Sequence, residues 1–236
     1  MLAKLKRTIY KLRYPVVGEV WALHRVTEEE PLDEAMRKYY AITPGRLEQL
    51  IQDYLKKGYR FVSVGQVQRM IETLNYPYKF IAITLDDGYA DNYEIAYPIF
   101  KKYNIPFCIF VSEGYVKNRI SPYKMLTEEQ IIELSKDELC TIGSHTALHP
   151  RLSELPIQEQ KEQIEDCKMW LEKLLQRPVV HFAYPYGAFS SQTIEVLQST
   201  GIKMACNGWG GGIRKNIKHS MYHIPRVVVS ETEKIN

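Results

Sequence analysis

Apolar runs rich in Val, Ile and Phe alternate along this chain with amphipathic stretches of helical period, and that alternation restricts the fold more than any other feature. The runs are "VVGEVWALHRV" (16–26), "RFVSV" (60–64), "KFIAITLDD" (79–87), "PFCIFVS" (106–112), "LCTIGSH" (139–145), "PVVHFAYP" (178–185), "IKMACN" (202–207) and "HIPRVVV" (223–229). The helical stretches between them are 43–59, 64–74, 93–104, 127–137, 156–176 and 191–201. Thr43 and Pro44 suit a helix start and Gly58 a helix stop. Pro98 is expected to bend 93–104, and 156–176 carries Ile157, Ile164, Leu171 and Leu174 or Leu175 on one stripe. Near-continuously apolar strands that alternate with helices predict a parallel sheet covered by helices. Seven or eight strands in 236 residues favour closure, so the expected fold is α/β, a distorted (β/α) barrel of about seven parallel strands. We expect one domain over 16–236, preceded by a basic segment over 1–15.

In such a barrel the chemistry belongs at the C-terminal ends of the strands. Five of the apolar runs end in polar clusters: His24 after "VWAL", Asp86-Asp87 after "FIAITL", His145 after "LCTIGS", Tyr184-Pro185-Tyr186-Gly187 after "VVHFA", and Asn207-Gly208-Trp209 after "KMAC". Two adjacent carboxylates repel each other unless a cation lies beside them. The stretch "SHTALH" (144–149) offers His145 and His149 four residues apart, a spacing that a helical turn would place on one face. Two imidazoles and one carboxylate make a three-ligand metal site with positions left open for water and substrate. An isolated Asp-Asp-Gly is ordinarily a turn, and an isolated HxxxH arises by chance; their joint occurrence at two strand ends favours a metal site.

"TLDDG" (84–88), "SHTALH" (144–149) and "FAYPYG" (182–187) occur in the order and approximate spacing of the polysaccharide deacetylase family, the NodB-homology group or carbohydrate esterase family 4, and the likeness runs from about residue 16 to 229. The resemblance implies a metal-dependent carbohydrate N-deacetylase that removes acetyl from an amino sugar in a polysaccharide or glycan precursor. It implies one divalent metal, zinc before others, held by Asp87, His145 and His149. It makes Asp86 the general base and assigns the Tyr186 backbone N–H to the oxyanion. The third motif often opens with an arginine that restrains the base; here Ala183 stands there, and Arg226 is the candidate to supply the charge from another strand. No Leu-x-His triplet supplies the general acid; His24, in "ALHRV", resembles the Tyr-His-x-Val start of the subgroup that includes biofilm-polysaccharide deacetylases, with His223 as the alternative. His181 reads as a wall histidine and His219 as a loop residue. Trp209, Tyr184 and Pro185 are candidates for contact with the sugar. Hydrolysis of an O-acetyl ester or another amide at the same metal, or a non-catalytic glycan-binding barrel, remain as alternatives; the intact Asp86, Asp87, His145 and His149 argue against the last.

The net charge of +3 gives no reason to expect a nucleic-acid partner. Cys108, Cys140, Cys167 and Cys206 are widely spaced without a CxxC pair and read as buried thiols, which suits a reducing compartment. The segment "MLAKLKRTIYKLRYP" has five basic residues, no acid, and Leu2, Leu5, Ile9 and Leu12 at helical spacing. It lacks the continuous apolar core of a secretory signal, so a cytoplasmic location is the expectation. A helix packed on its own domain is the first reading of it, and reversible contact with an anionic membrane surface is the alternative.

Overall fold

Seven of the apolar runs form the parallel strands of a closed barrel in the computed structural model, which describes residues 12–28, 34, 39–117 and 121–232. They are β1 (Val16–Leu23), β2 (Phe80–Asp87), β3 (Phe107–Val111), β4 (Cys140–Ser144), β5 (His181–Ala183), β6 (Met204–Gly210) and β7 (Ile224–Val228). Each pairs in parallel with the next in chain order, and β7 returns to β1 with Trp21 opposite Val227. The main helices are α1 (Pro44–Lys56), α2 (Val64–Thr73), α3 (Tyr97–Tyr103), α4 (Glu128–Lys136), α5 (Ile157–Leu175) and α6 (Ser191–Ser199). Side chains set their starts: the Thr43 hydroxyl accepts from Arg46 N, and Ser63, Thr127 and Ser190 each open a reciprocal capping box.

The period of two along each strand divides the core. Trp21, Leu23, Ile81, Ile83, Leu85, Phe107, Ile109 and Ile142 pack with helix residues such as Leu47, Ile51, Ile131 and Leu171. The alternate residues Val20, Phe80, Ala82, Cys108, Phe110, Ala183, Cys206 and Ile224 make a second cluster. Two large rings in this cluster leave no room for a Cβ on the strand opposite them. A Cβ on Gly143 would lie 2.5 Å from the Phe110 ring and 3.1 Å from His181 O, and one on Gly18 would lie 2.3 Å from the Phe80 ring. Gly143→Ala is therefore expected to cost about 1–3 kcal/mol by overpacking, a fall of roughly 2–12 °C in Tm, measurable by calorimetry.

Several local expectations change. The run 16–26 is not one strand: β1 stops at Leu23, and Arg25–Val26 pair instead with Ala41–Ile42 as a separate two-stranded sheet. The run 60–64 contributes only Arg60–Phe61, on the outer edge beside β2, because Ser63 already caps α2. Ile213–Arg214 form a short antiparallel strand against β1 that the surrounding glycines concealed. Stretch 93–104 begins as a π-helical turn, Asn92–Ala96, before α3. Ile157 is 45 % exposed and does not belong to the buried stripe of α5. That stripe starts at Gln160, whose amide donates to Leu155 O and accepts from the Thr193 hydroxyl. All four cysteines are buried free thiols. Of the basic segment 1–15, residues 1–11 lie outside the described residues, and the membrane-contact reading lies there with them. No described helix is long and apolar enough to cross a membrane.

Candidate active site

A cavity of about 500 Å³ opens among side chains from the C-terminal ends of the barrel strands, lined by His24, Asp86, Asp87, His145, His149 and Arg226 with a wall of aromatic rings. Neighbouring residues of a strand point to opposite faces, so Asp86 and Asp87 would diverge if β2 ended as it began. The backbone prevents this: Asp87 takes φ 74° and Gly88 φ 85°, and both carboxylates line the one cavity. Aspartate tolerates the left-handed region better than most residues do.

The two histidines converge through a loop, not the helical turn expected from their spacing. Thr146 and His149 have φ of 69° and 57°. The loop is tied by His145 N to Val111 O, by His149 N to the Thr146 hydroxyl, and by Ala147 N and Leu148 N to Gln163 of α5. His145 Nε2 lies 3.5 Å and His149 Nε2 3.2 Å from Asp87 Oδ1, and the ligand atoms of the three residues lie within 4.8 Å of one another.

The chemistry of these atoms fits a divalent cation. His145 Nδ1 is 2.7 Å from Ala183 O. A carbonyl only accepts, so Nδ1 carries the proton and Nε2 presents its lone pair toward Asp87. Burial pushes the His145 imidazole down to about 4, which keeps it neutral at physiological pH. Burial acts to raise the Asp87 carboxyl, but the imidazoles of His149, His24 and His145 around it prevail and hold it below the usual carboxylate range. Asp87 Oδ1 is nevertheless buried with no hydrogen-bond donor. An imidazole lone pair facing an orphaned carboxylate oxygen is a donor set for a metal ion.

Asp86 has a different partner. Arg226 grips it with two parallel bonds, Nη1 to Oδ1 and Nη2 to Oδ2, both 2.7 Å, and both residues are buried. The guanidinium is held in turn: Nη1 donates to the Thr84 hydroxyl, Nε to Asn207 O, and Phe110 lies against its plane at 5.7 Å. Burial alone would raise the Asp86 carboxyl; Arg226 outweighs it and holds the group ionised below its ordinary range.

His24 lines the same cavity as the two carboxylates, its ring in a T-shaped contact with Tyr40 at 4.7 Å between centroids. Burial lowers its pKa against the pull of Asp86 and Asp87, and its Nδ1 is buried without a partner. Tyr186 takes a left-handed backbone (φ 56°, ψ 10°). Its half-exposed ring meets the His149 ring on one side and the Arg151 guanidinium on the other. Trp209 stands at the rim, 60 % exposed.

Other sequence candidates lie elsewhere. Tyr184 supplies only wall: it is buried and its hydroxyl is committed to Tyr222 O at 2.9 Å. Pro185 is buried in the turn and does not line the cavity. His223 is bonded to the Asn207 amide at 2.9 Å and packs on Phe189, also away from the lining. His181 bonds Gln68 and His219 accepts from Arg214 N. Tyr40, Tyr89 and Tyr115 line the site without having been singled out in the sequence. Each belongs to a segment with no distinctive pattern; only Tyr89, two residues past the paired aspartates, was within sight of a motif.

A family profile described as polysaccharide deacetylase matches residues 74–205, more than half of the chain. YxkH of Bacillus subtilis, named for the same family, is 31% identical over 174 residues, which span 73% of this chain and 60% of that protein. A poly-beta-1,6-N-acetyl-D-glucosamine N-deacetylase of Staphylococcus aureus is 25% identical over 203 residues, 82% of this chain and 69% of its own length. Among solved structures, IcaB from Ammonifex degensii superimposes with a TM-score of 0.79 at 29% identity, covering 91% of this chain and 92% of that one. The Streptococcus pyogenes deacetylase PplD in complex with acetate shares the fold with a TM-score of 0.81 at 24% identity, covering 92% and 94%.

Proposed function

The chain belongs to the polysaccharide deacetylase family, and from that premise we propose that it hydrolyses the N-acetyl group of an amino sugar in a glycan and releases acetate, with zinc as its ion. One observation carries the reading: a carboxylate kept ionised by a buried arginine adjoins a carboxylate and two imidazoles gathered around an orphaned oxygen. Asp87, His145 and His149 would hold the ion. When bound, a divalent ion acidifies a coordinated water and polarises the acetyl carbonyl.

This chain's own residues do the remainder. Asp86 takes the proton of the attacking water; Arg226 occupies one lone pair of each oxygen and leaves others free. The Tyr186 main-chain N–H is assigned to the oxyanion that develops on the acetyl carbonyl. His24 delivers the proton that the departing sugar amine needs, because an unprotonated amide anion is a poor leaving group. Tyr40, Tyr186 and Trp209 offer ring faces to the pyranose.

The Staphylococcus aureus relative acts on a poly-β-1,6-N-acetylglucosamine, so oligomers of that sugar are the first substrates to assay. Free amine should accumulate with the metal-loaded protein, and faster acetate release from O-acetyl xylan would favour an esterase instead. Asp86→Asn should keep metal affinity and lower turnover by about 10²–10⁴-fold. Turnover equal to wild type would remove Asp86 as the base.

A further inference from the structure

Asp91 and Asn92 are buried, lie outside the lining of the cavity, and nevertheless hold the backbone on both sides of His24. Asn92 Nδ2 donates to His24 O at 2.8 Å and to Asp91 Oδ1 at 3.1 Å. Asp91 Oδ1 accepts from Val26 N at 3.2 Å, and Oδ2 from Arg25 Nε at 2.8 Å. The Arg25 guanidinium then lies over Tyr123 at 4.6 Å and Tyr89 at 5.7 Å. A carbonyl that would continue the β1 ladder is thus taken by a side chain, and the strand ends there.

Two features mark this arrangement as costly. Asn92 opens the π-helical turn Asn92–Ala96, a wide turn that is rare and frequently found at functional sites. Its Oδ1 is buried with no partner, although most buried polar atoms in folded proteins are satisfied. The clamp also extends to the other face of the imidazole. Val26 and Arg25 pair with Ile42 and Ala41, which carries Tyr40 against the His24 ring.

We propose that Asn92, supported by Asp91, is a positioning residue for proton donation by His24. It sets the backbone of residue 24 so that the ring, against Tyr40, enters the cavity that the carboxylates line. The step it serves is cleavage of the C–N bond: the bonding pair goes to nitrogen, which takes the His24 proton, while acetate keeps the oxygen from water. The inference rests on the reading of His24 as the acid.

The test compares wild type, His24→Ala, Asn92→Ala, Asn92→Asp and the His24→Ala/Asn92→Ala double variant, each zinc-loaded. The substrates are an N-acetylglucosamine oligomer and 4-nitrophenyl acetate, whose leaving group needs no proton. Asn92→Ala should lower kcat on the amide by about 10–10²-fold, with KM, the ester rate and zinc affinity within about two-fold of wild type. Asn92→Asp keeps the size, loses the donor, and should be as slow; it also serves should the alanine variant not fold. The double variant should be no slower than His24→Ala. In ¹H–¹⁵N spectra of the metal-free protein, the His24 ring signals should move in Asn92→Asp while those of His145 and His149 stay. Equal slowing on amide and ester, an unchanged amide rate, a full extra loss in the double variant, or unmoved His24 signals would each overturn the positioning role. If His24→Ala itself slows both substrates equally, the acid assignment is what fails. If His24→Ala is selective and Asn92→Ala is not, only the positioning proposal fails.

Discussion

Asp87→Ala is expected to abolish metal-dependent activity and to erase the stabilisation that zinc confers. In the wild type, free zinc at a hundred times its Kd should add about 2.7 kcal/mol to stability, because the ion binds the folded site and not the unfolded chain. In the variant that increment should vanish. Changes to groups that only touch ligands cost roughly 10–100-fold in affinity, so loss of the sole carboxylate ligand should cost more. The metal-free variant should also be less stable than metal-free wild type, since alanine tolerates a φ of 74° less well than aspartate and an ionised carboxylate held below its usual pKa is lost. Thermal melts with and without zinc check both halves. A zinc-dependent rise in Tm equal to the wild type would place the ion elsewhere.

Arg226→Met should be the most destabilising single change in the site. It leaves Asp86 buried beside an apolar side chain, and removing one partner of a buried ion pair costs about 3–5 kcal/mol. At roughly 2–4 °C per kcal/mol, Tm should fall by roughly 6–20 °C. The pH dependence should also reverse. In the wild type the Asp86 pKa lies below its unfolded value. Its contribution is therefore fully present above the unfolded pKa and lost as pH falls through the folded one. In the variant, burial is opposed only by the weaker pull of His145 and His24 and raises the pKa above the unfolded value, so stability should improve as pH is lowered toward it. Turnover should fall as well, with its acid limb moved to higher pH. Adding Asp86→Asn should restore most of the stability and none of the activity. A variant with unchanged Tm would mean that the pair is not closed in solution.

The barrel was legible because parallel strands buried on both faces must carry apolar runs, and those runs survive in the sequence as 80–87 and 107–111. The site was legible where chemistry forces residue type: a metal needs carboxylates and imidazoles, and the strand ends tell where they gather. Arg226 could be singled out only because Ala183 occupies the position where the family often has arginine. Geometry was less legible. The left-handed residues Thr146 and His149 lie in a loop tied to Val111 and to Gln163 of α5, bonds that no local propensity encodes. The break of β1 at His24 depends on Asp91 and Asn92, 65 and more residues away in the chain. The exposure of Ile157 escaped the periodicity because the polar Gln160 takes its place in the stripe, satisfied by Thr193 and Leu155. The same remoteness hid Tyr40, which reaches His24 only through the pairing of 25–26 with 41–42.

The most direct measurement is anomalous diffraction at the zinc edge from crystals of the metal-loaded protein. One strong peak bonded to Asp87, His145 and His149, with Asp86 still gripped by Arg226, is the predicted result. No peak among those three residues, in protein that still frees amine from N-acetyl sugars, would contradict the account.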